Sequence, residues 1–142
     1  MNGETIFLIV WVIVAAFILT TFYKRGKKAL SIFPDIHSVR VVYRDKSASG
    51  HSNKSWTTKM GGARNALDIV VTDKELWLKS MLLFAGIGKH YDLLHKVSLD
   101  NIIRTDRQGR KITVDFKTED GKDKQVVFMT KRPDDFLKAI KK

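Results

Sequence analysis

The chain has no cysteine among its 142 residues. It therefore has no disulfide framework and no thiolate metal site. Proline is almost as scarce, and each of the two prolines falls where a helix should end or begin. Pro34 stops any helix that continues from the N-terminal region, and Pro133 suits the first position of a C-terminal helix.

Positive charge is absent before Lys24, although the chain carries 26 Lys and Arg against 15 Asp and Glu. Residues 6–23, IFLIVWVIVAAFILTTFY, form an uncharged run with apolar residues on every side of a helix. Such a helix is roughly 27 Å long, close to the thickness of a hydrocarbon core. The sequence predicts a membrane anchor over residues 1–23 and a basic linker over residues 24–38, whose cations begin with Lys24, Arg25, Lys27 and Lys28.

Two other interpretations of the apolar run fit less well. A cleaved signal peptide has cations before its apolar run, whereas here they lie where cleavage should occur. A buried core helix needs more protein around it than the roughly 120 remaining residues supply. Because cations stay on the cytoplasmic side, we expect a single-pass protein of the cell (inner) membrane, with its N-terminus outside and residues 39–142 in the cytoplasm.

The net charge of +11 favours an anionic neighbour. For a tethered domain, anionic lipid headgroups are the nearest candidate, and a membrane-protein partner or a second copy of the chain is the other; no nucleic acid is expected. Residues 81–88 form a second apolar run, which is either a membrane-facing loop or part of the core. The expected membrane-contact residues are Trp11, Tyr23, Lys24, Arg25, Lys27, Lys28, Leu83 and Phe84.

The rest of the chain has the alternation of short strands. Strands are predicted to begin at Val39 and to recur near residues 67–71, 76–79, 90–94, 102–104, 112–117 and 125–128, with a turn over residues 106–109. A helix beginning at Pro133 presents Phe136, Leu137 and Ile140 to the sheet. About seven short strands and one closing helix describe a small, strongly bent antiparallel sheet or barrel, an α+β fold that is mainly β.

Residues 47–65, SASGHSNKSWTTKMGGARN, are rich in serine, glycine and asparagine and are predicted to form a long loop. Gly61 and Gly62 permit positive φ, so that successive N–H groups can converge on an anion, and Arg64 adds a bidentate contact. The alternative is structural, with the glycines turning the chain into the next strand. The candidate ligand-binding residues are Ser49, His51, Lys54, Lys59, Gly61, Gly62, Arg64 and Asn65.

The segments ALDIVVTDKELWLKS, HKVSLDNI, KITVDFKTEDGKDKQVVFMT and PDDFLKAI resemble, in this order, parts of a pleckstrin-homology-like (PH-like) or GRAM-like domain. The whole chain is similar to small single-pass bacterial membrane proteins of unassigned role that carry such a domain. The basic signature of phosphoinositide-binding members, a Lys followed by Lys/Arg-x-Arg, is missing here. The resemblance therefore implies a PH-like module that binds generic anionic lipid or a protein.

Catalytic motifs are missing at the required spacings. Gly88 and Lys89 have no glycine five residues earlier, as a phosphate-binding loop requires, and there is no Gly-x-Ser-x-Gly. We therefore expect no enzyme activity, no cofactor and no metal. The alternative is a small hydrolase or metal-dependent enzyme that uses His51 or the pair His90 and His95, although residues five apart on a strand point to opposite faces.

Overall fold

The computed structural model of the chain describes residues 1–52, 63–80, 85 and 93–141, and it gives side chains in the second range from Leu67 onward. The first element is helix α1, Gly3–Leu30. Asn2 caps its N-terminus, because the Oδ1 of Asn2 accepts a hydrogen bond from the backbone N–H of Thr5 at 3.3 Å. By length and composition α1 could cross a membrane, and none of its most apolar stretch is buried.

Helix α1 continues through Leu30, beyond the apolar run. The first residues of the predicted basic linker are therefore helical, and cations at this end of a helix are favoured by its dipole. After Ser31 the chain passes Pro34 and forms a short 3-10 helix, Ile36–Ser38, in which the backbone N–H of His37 donates to the Asp35 carboxylate at 3.0 Å. The exposed cations of the last helical turns are Lys24, Arg25, Lys27 and Lys28.

A seven-stranded antiparallel sheet and a C-terminal helix follow, so the described architecture is α+β and mainly β, as the sequence predicted. We call this part of the chain the sheet domain. Its helix, α2, is Pro133–Ile140. Its strands are β1 (Val41–Ser52), β2 (Ala63–Thr72), β3 (Glu75–Ser80), β4 (His95–Ser98), β5 (Ile102–Gln108), β6 (Lys111–Lys117) and β7 (Asp123–Met129).

Four local predictions are wrong. The first strand, predicted to begin at Val39, begins at Val41. The loop over residues 47–65 is too long at both ends, because β1 continues through Ser52 and β2 begins at Ala63. The strand predicted near residues 90–94 lies later, at β4, and Leu93 and Leu94 precede it; residues 90–92 lie outside the described residues. The turn over residues 106–109 is shorter, because β5 pairs with β6 as far as Gln108. Gly109, with φ of 63°, supplies the left-handed residue that this tight hairpin connection needs.

Strand β1 is shared by both halves of the sheet, whose order is β4-β3-β2-β1-β7-β6-β5. From Val41 to Gly50 it pairs with β2, and from Ser49 to Ser52 it pairs with β7. Its pairing with β2 has register shifts after Val41, Asp45 and Ala48. Such irregularities bend a strand and increase its twist. Because β1 is bent in this way, its first part can pair with β2 and its last part with β7.

Helix α2 closes the core. Phe136 is fully buried, and its ring makes edge contacts with Tyr43 and Phe128 at centroid distances of 5.6 and 5.0 Å. Burial of one such ring is worth about 1.5–3 kcal/mol, so Phe136 contributes to the docking of α2 on the sheet. Other large buried side chains of the same core are Leu67, Ile69, Leu76, Leu78, Ile112, Phe116 and Phe128.

Candidate functional site

Two of the predicted ligand-binding residues lie on β1 rather than in a loop. Ser49 is opposite Met129 and His51 is opposite Val127, both on β7. Ser49 and His51 are half-buried, and neither is without an interaction partner. They are therefore parts of a paired strand in the middle of the sheet.

The remaining members of that predicted site are not described in full. Arg64 and Asn65 have strand backbone in β2, which corrects their placement in a loop. Their side chains, and the whole of Lys54, Lys59, Gly61 and Gly62, lie outside the described residues. The anion site centred on the two glycines therefore stays a prediction.

The predicted membrane-contact residues of α1 are all exposed. Trp11 and Tyr23 lie at 63% and 46% exposure on the apolar stretch, and the four cations follow within the next turns. Aromatic and cationic side chains at the ends of a span are typical of the membrane interface. Leu83 and Phe84 lie outside the described residues.

The segment after α1 is docked on the sheet domain through Phe33. The Phe33 ring lies 5.8 Å from the ring of Trp77 on β3, and Trp77 is fully buried. Lys79 Nζ lies 5.9 Å from the Phe33 centroid and 5.7 Å from the Trp77 centroid, so one cation contacts both rings. Trp77 also donates from Nε1 to the Glu75 carboxylate at 2.8 Å. Trp77 is therefore a packing residue of the sheet domain.

A charged cluster flanks this contact. Arg44 of β1 donates two hydrogen bonds to the Asp68 carboxylate, at 3.1 and 2.9 Å, in the bidentate geometry that makes such pairs specific. Lys79 Nζ lies 3.8 Å from the same carboxylate. The Asp68 carboxylate thus helps to position the Lys79 ammonium group, which contacts the Phe33 ring.

A groove of about 460 Å³ lies between the start of β1 and α2. Its walls come from opposite ends of the sheet domain, so no single segment of the sequence predicts it. The only sequence signal was the pair of adjacent valines at the start of β1, both of which are exposed. The groove is lined by Val41, Val42, Tyr43, Arg44, Arg132, Asp135, Lys138 and Ala139.

A buried hydrogen-bond network lies beneath the groove. The Asp45 carboxylate accepts from the Thr130 hydroxyl at 2.7 Å, from the backbone N–H of Ser47 at 3.0 Å and from that of Lys131 at 3.2 Å. Since the Thr130 hydroxyl proton goes to Asp45, Tyr43 donates its own hydroxyl proton to Thr130.

The pKa values of this network follow from its burial and hydrogen bonds. Burial alone would raise the pKa of Asp45, but the hydrogen bonds from Thr130, Ser47 and Lys131 together lower it below 3.8. Burial raises the pKa of Tyr43 above 10.0, so its hydroxyl stays protonated and keeps donating at neutral pH.

No group of three or more His, Asp or Glu side chains is arranged to hold a metal ion in the ranges that the structure describes. His95, one of the alternative metal ligands, packs against the buried Phe116 ring at 5.1 Å. His90 and Asp92 lie outside those ranges.

The chain matches no protein-family model, and no curated protein matches it either.

Proposed function

We propose that the chain is a single-pass membrane protein whose PH-like sheet domain binds anionic lipid headgroups at the surface of its own membrane, without catalysis. The observation that carries the proposal is the character of α1. None of its apolar stretch is buried, which is unfavourable in water, and four exposed cations follow it. A bilayer with an anionic surface satisfies both features together.

The docked linker supports a domain held close to that surface. Phe33 lies three residues beyond the last residue of α1 and contacts Trp77. Three residues span at most about 11 Å, so the outer side of β3 lies near the C-terminal end of α1, seven residues beyond the predicted anchor. These seven helical residues rise only about 10 Å, so the near side of the domain lies within a few Debye lengths of the bilayer surface, each about 8 Å at physiological ionic strength.

The PH-like assignment is supported by the order of elements. The β2–β3 hairpin, the segment from β4 to β5 and the closing helix α2 occur in the order that the resemblance implies, and β1 is shared between the two halves of the sheet. The fold alone does not imply a ligand, so the lipid proposal depends on α1 and on the charge.

The first experiment concerns orientation. Because cations are retained on the cytoplasmic side, a C-terminal fusion to a reporter that is active only in the cytoplasm should give a strong signal. The same fusion to a reporter that is active only outside should give background. The reversed pattern would overturn the orientation and place the domain away from the cytoplasmic leaflet.

The second experiment measures lipid selectivity. The full chain, purified from mixed micelles of phosphatidylcholine and phosphatidylglycerol, should retain phosphatidylglycerol in excess of its bulk fraction. Each cation near an anionic surface contributes about 1 kcal/mol, so changing all four linker cations to glutamine should reduce the enrichment by more than tenfold. The substituted residues are Lys24, Arg25, Lys27 and Lys28.

A matched control variant keeps α1 and its four cations and removes one positive charge far from them. Lys122, in the exposed turn between β6 and β7, is replaced by glutamine and should leave the enrichment unchanged. If the wild-type chain retains both lipids in bulk proportion, the lipid proposal is wrong. If, in addition, a membrane protein co-purifies with it, a protein partner becomes the better assignment.

A further inference from the structure

The groove between β1 and α2 combines an apolar lip with basic walls. Val41 and Val42 are 38% and 52% exposed at the start of β1. On the opposite wall Arg132 precedes α2 and Lys138 lies on it, both with exposed side chains. Lys138 makes no ion pair within the part of the chain that the structure describes. An amphiphilic anion matches both kinds of surface.

Arg132 is held in position before any ligand arrives. Its Nη2 donates to the backbone carbonyl of Arg44 at 3.0 Å, and its guanidinium lies 5.2 Å from the Tyr43 ring centroid. The other terminal nitrogen, Nη1, lies 3.8 Å from the Asp135 carboxylate at an exposed position. An exposed pair of this kind is weak, so Nη1 can turn to a stronger anion at small cost.

The groove also lies close to the docked linker. Val70 of β2 is paired with Arg44 on one side and with Trp77 on the other. Neighbouring strands are about 4.8 Å apart, so the backbone of Arg44 lies about 10 Å from that of Trp77, on which Phe33 is stacked. The groove is thus near the point where the chain leaves α1.

We propose that this groove binds the phosphate of an anionic phospholipid from the membrane in which the chain is anchored. Arg132 and Lys138 contact the phosphate oxygens, and Val41 and Val42 contact the glycerol and the first methylenes of the acyl chains. The volume of about 460 Å³ suits a single headgroup. The inference rests on the proposed membrane function and adds a headgroup site on the sheet domain to the cations at the end of α1.

Asp135 opposes this binding, and its removal is therefore a useful variant. Its carboxylate lines the groove and neutralises part of the charge of Arg132. Asp135→Asn should tighten lipid binding, whereas a purely structural role of the Arg132 and Asp135 pair predicts no gain. Tighter lipid binding by Asp135→Asn, beside weaker binding by variants that remove a cation, separates charge recognition from general damage to the fold.

The experiment measures hydrogen exchange of the full chain in lipid nanodiscs. Backbone amides of residues 41–44, 132 and 134–139 should exchange more slowly in discs that contain phosphatidylglycerol than in discs of phosphatidylcholine alone. Lys138→Gln and Arg132→Gln should each raise the phosphatidylglycerol fraction needed for half-maximal protection by about fivefold, the equivalent of 1 kcal/mol per cation. Asp135→Asn should lower it by a similar factor.

Two controls separate charge from stability. Lys122→Gln removes the same charge from the far β6–β7 turn and should leave the titration unchanged. Arg132→Lys keeps the charge but loses the planar fork and its stacking on Tyr43, so it should recover only part of the binding. Because Lys138 is exposed, Lys138→Gln keeps the fold even if Arg132→Gln loosens it.

The outcomes are distinct. If the chain enriches phosphatidylglycerol but exchange in the groove does not respond to it, the groove assignment is wrong while the proposed function stands. If neither is seen, both are wrong. If inorganic phosphate added to neutral discs gives the same protection, the ligand is a free anion and the phospholipid assignment is wrong.

Discussion

Replacing Gly50 with valine should leave most of the sheet domain unfolded under conditions in which the wild-type chain is folded. Gly50 is the residue at which β1 pairs with Ala63 of β2 and with Phe128 of β7. A Cβ at this position would lie 2.8 Å from the Phe128 Cβ and 2.8 Å from the carbonyl oxygen of Val127. Neither atom is the end of a flexible side chain, so relief requires movement of the β7 backbone.

Overpacking of a core by even one methyl group typically costs about 1–3 kcal/mol, and a domain of this size is stable by only about 5–15 kcal/mol. Gly50→Ala should therefore lower the free energy of unfolding by about 3 kcal/mol, and Gly50→Val by more. The measurement is urea unfolding of the full chain in non-ionic detergent, followed by the fluorescence of buried Trp77 after Trp11 and Trp56 are changed to phenylalanine.

Gly121→Ala is the matched control. Gly121 has φ of 82° and no atom within 4 Å of a built Cβ, so its substitution costs only the backbone strain of about 1–2 kcal/mol. If Gly50→Ala is no more destabilising than Gly121→Ala, close packing between β1 and β7 is not what excludes a side chain at Gly50.

The close packing at Gly50 also explains why residues 47–52 were predicted to be part of a loop. Residues 47–52 contain serine, alanine, glycine and histidine, which are typical of a loop. In the structure Ala48, Gly50 and Ser52 alternate with half-buried neighbours and are buried. Buried and half-buried residues do alternate along this segment, as in other strands. The buried ones are small, because β1 crosses between the two halves of the sheet where there is little room.

Strands β2 and β6 and helix α2, whose large apolar residues are regularly spaced, were predicted correctly. Leu67, Ile69 and Val71 alternate as one face of β2, and Ile112, Val114 and Phe116 do so on β6. Phe136 anchors α2 as its spacing indicated. In these segments burial free energy and local periodicity favour the same structure, so a local pattern was sufficient.

The groove could not be predicted in this way. Tyr43 and Arg132 belong to opposite ends of the sheet domain, and their contact depends on how α2 closes over β1. The docking of Phe33 on Trp77 could not be predicted either, because a single aromatic residue in a linker belongs to no periodic pattern. Charge and anchor length are local properties of the sequence, whereas a site between distant segments requires the fold.

The second large effect is expected at Asp45. Asp45 is 8% exposed, and its carboxylate accepts three hydrogen bonds, two from backbone N–H groups and one from Thr130. Asp45→Ala leaves these donors without their acceptor, and each unsatisfied buried group costs about 1–3 kcal/mol. We expect a loss of about 3 kcal/mol or more in the same urea experiment.

Variants at Thr130 provide the control. Thr130→Ser keeps the hydroxyl that connects Tyr43 to Asp45, so it should retain most of the stability. Thr130→Val keeps the shape but loses the hydroxyl, so it should be destabilising. In a double-mutant cycle with Asp45→Asn, the effect of Thr130→Val should be smaller than in the wild-type chain. Full additivity would show that the two side chains do not stabilise one another.

Acid should remove the contribution of Asp45. Hydrogen bonds hold the pKa of Asp45 in the folded state below 3.8, so near that pH the unfolded state binds more protons than the folded state. The stabilisation is therefore complete above the ordinary carboxyl pKa and is lost as the pH falls through the folded pKa. The difference in unfolding free energy between wild type and Asp45→Asn should be constant from pH 7 to about pH 5 and should shrink below about pH 4. If that difference is independent of pH down to pH 2, the charge of Asp45 is not what the three hydrogen bonds stabilise.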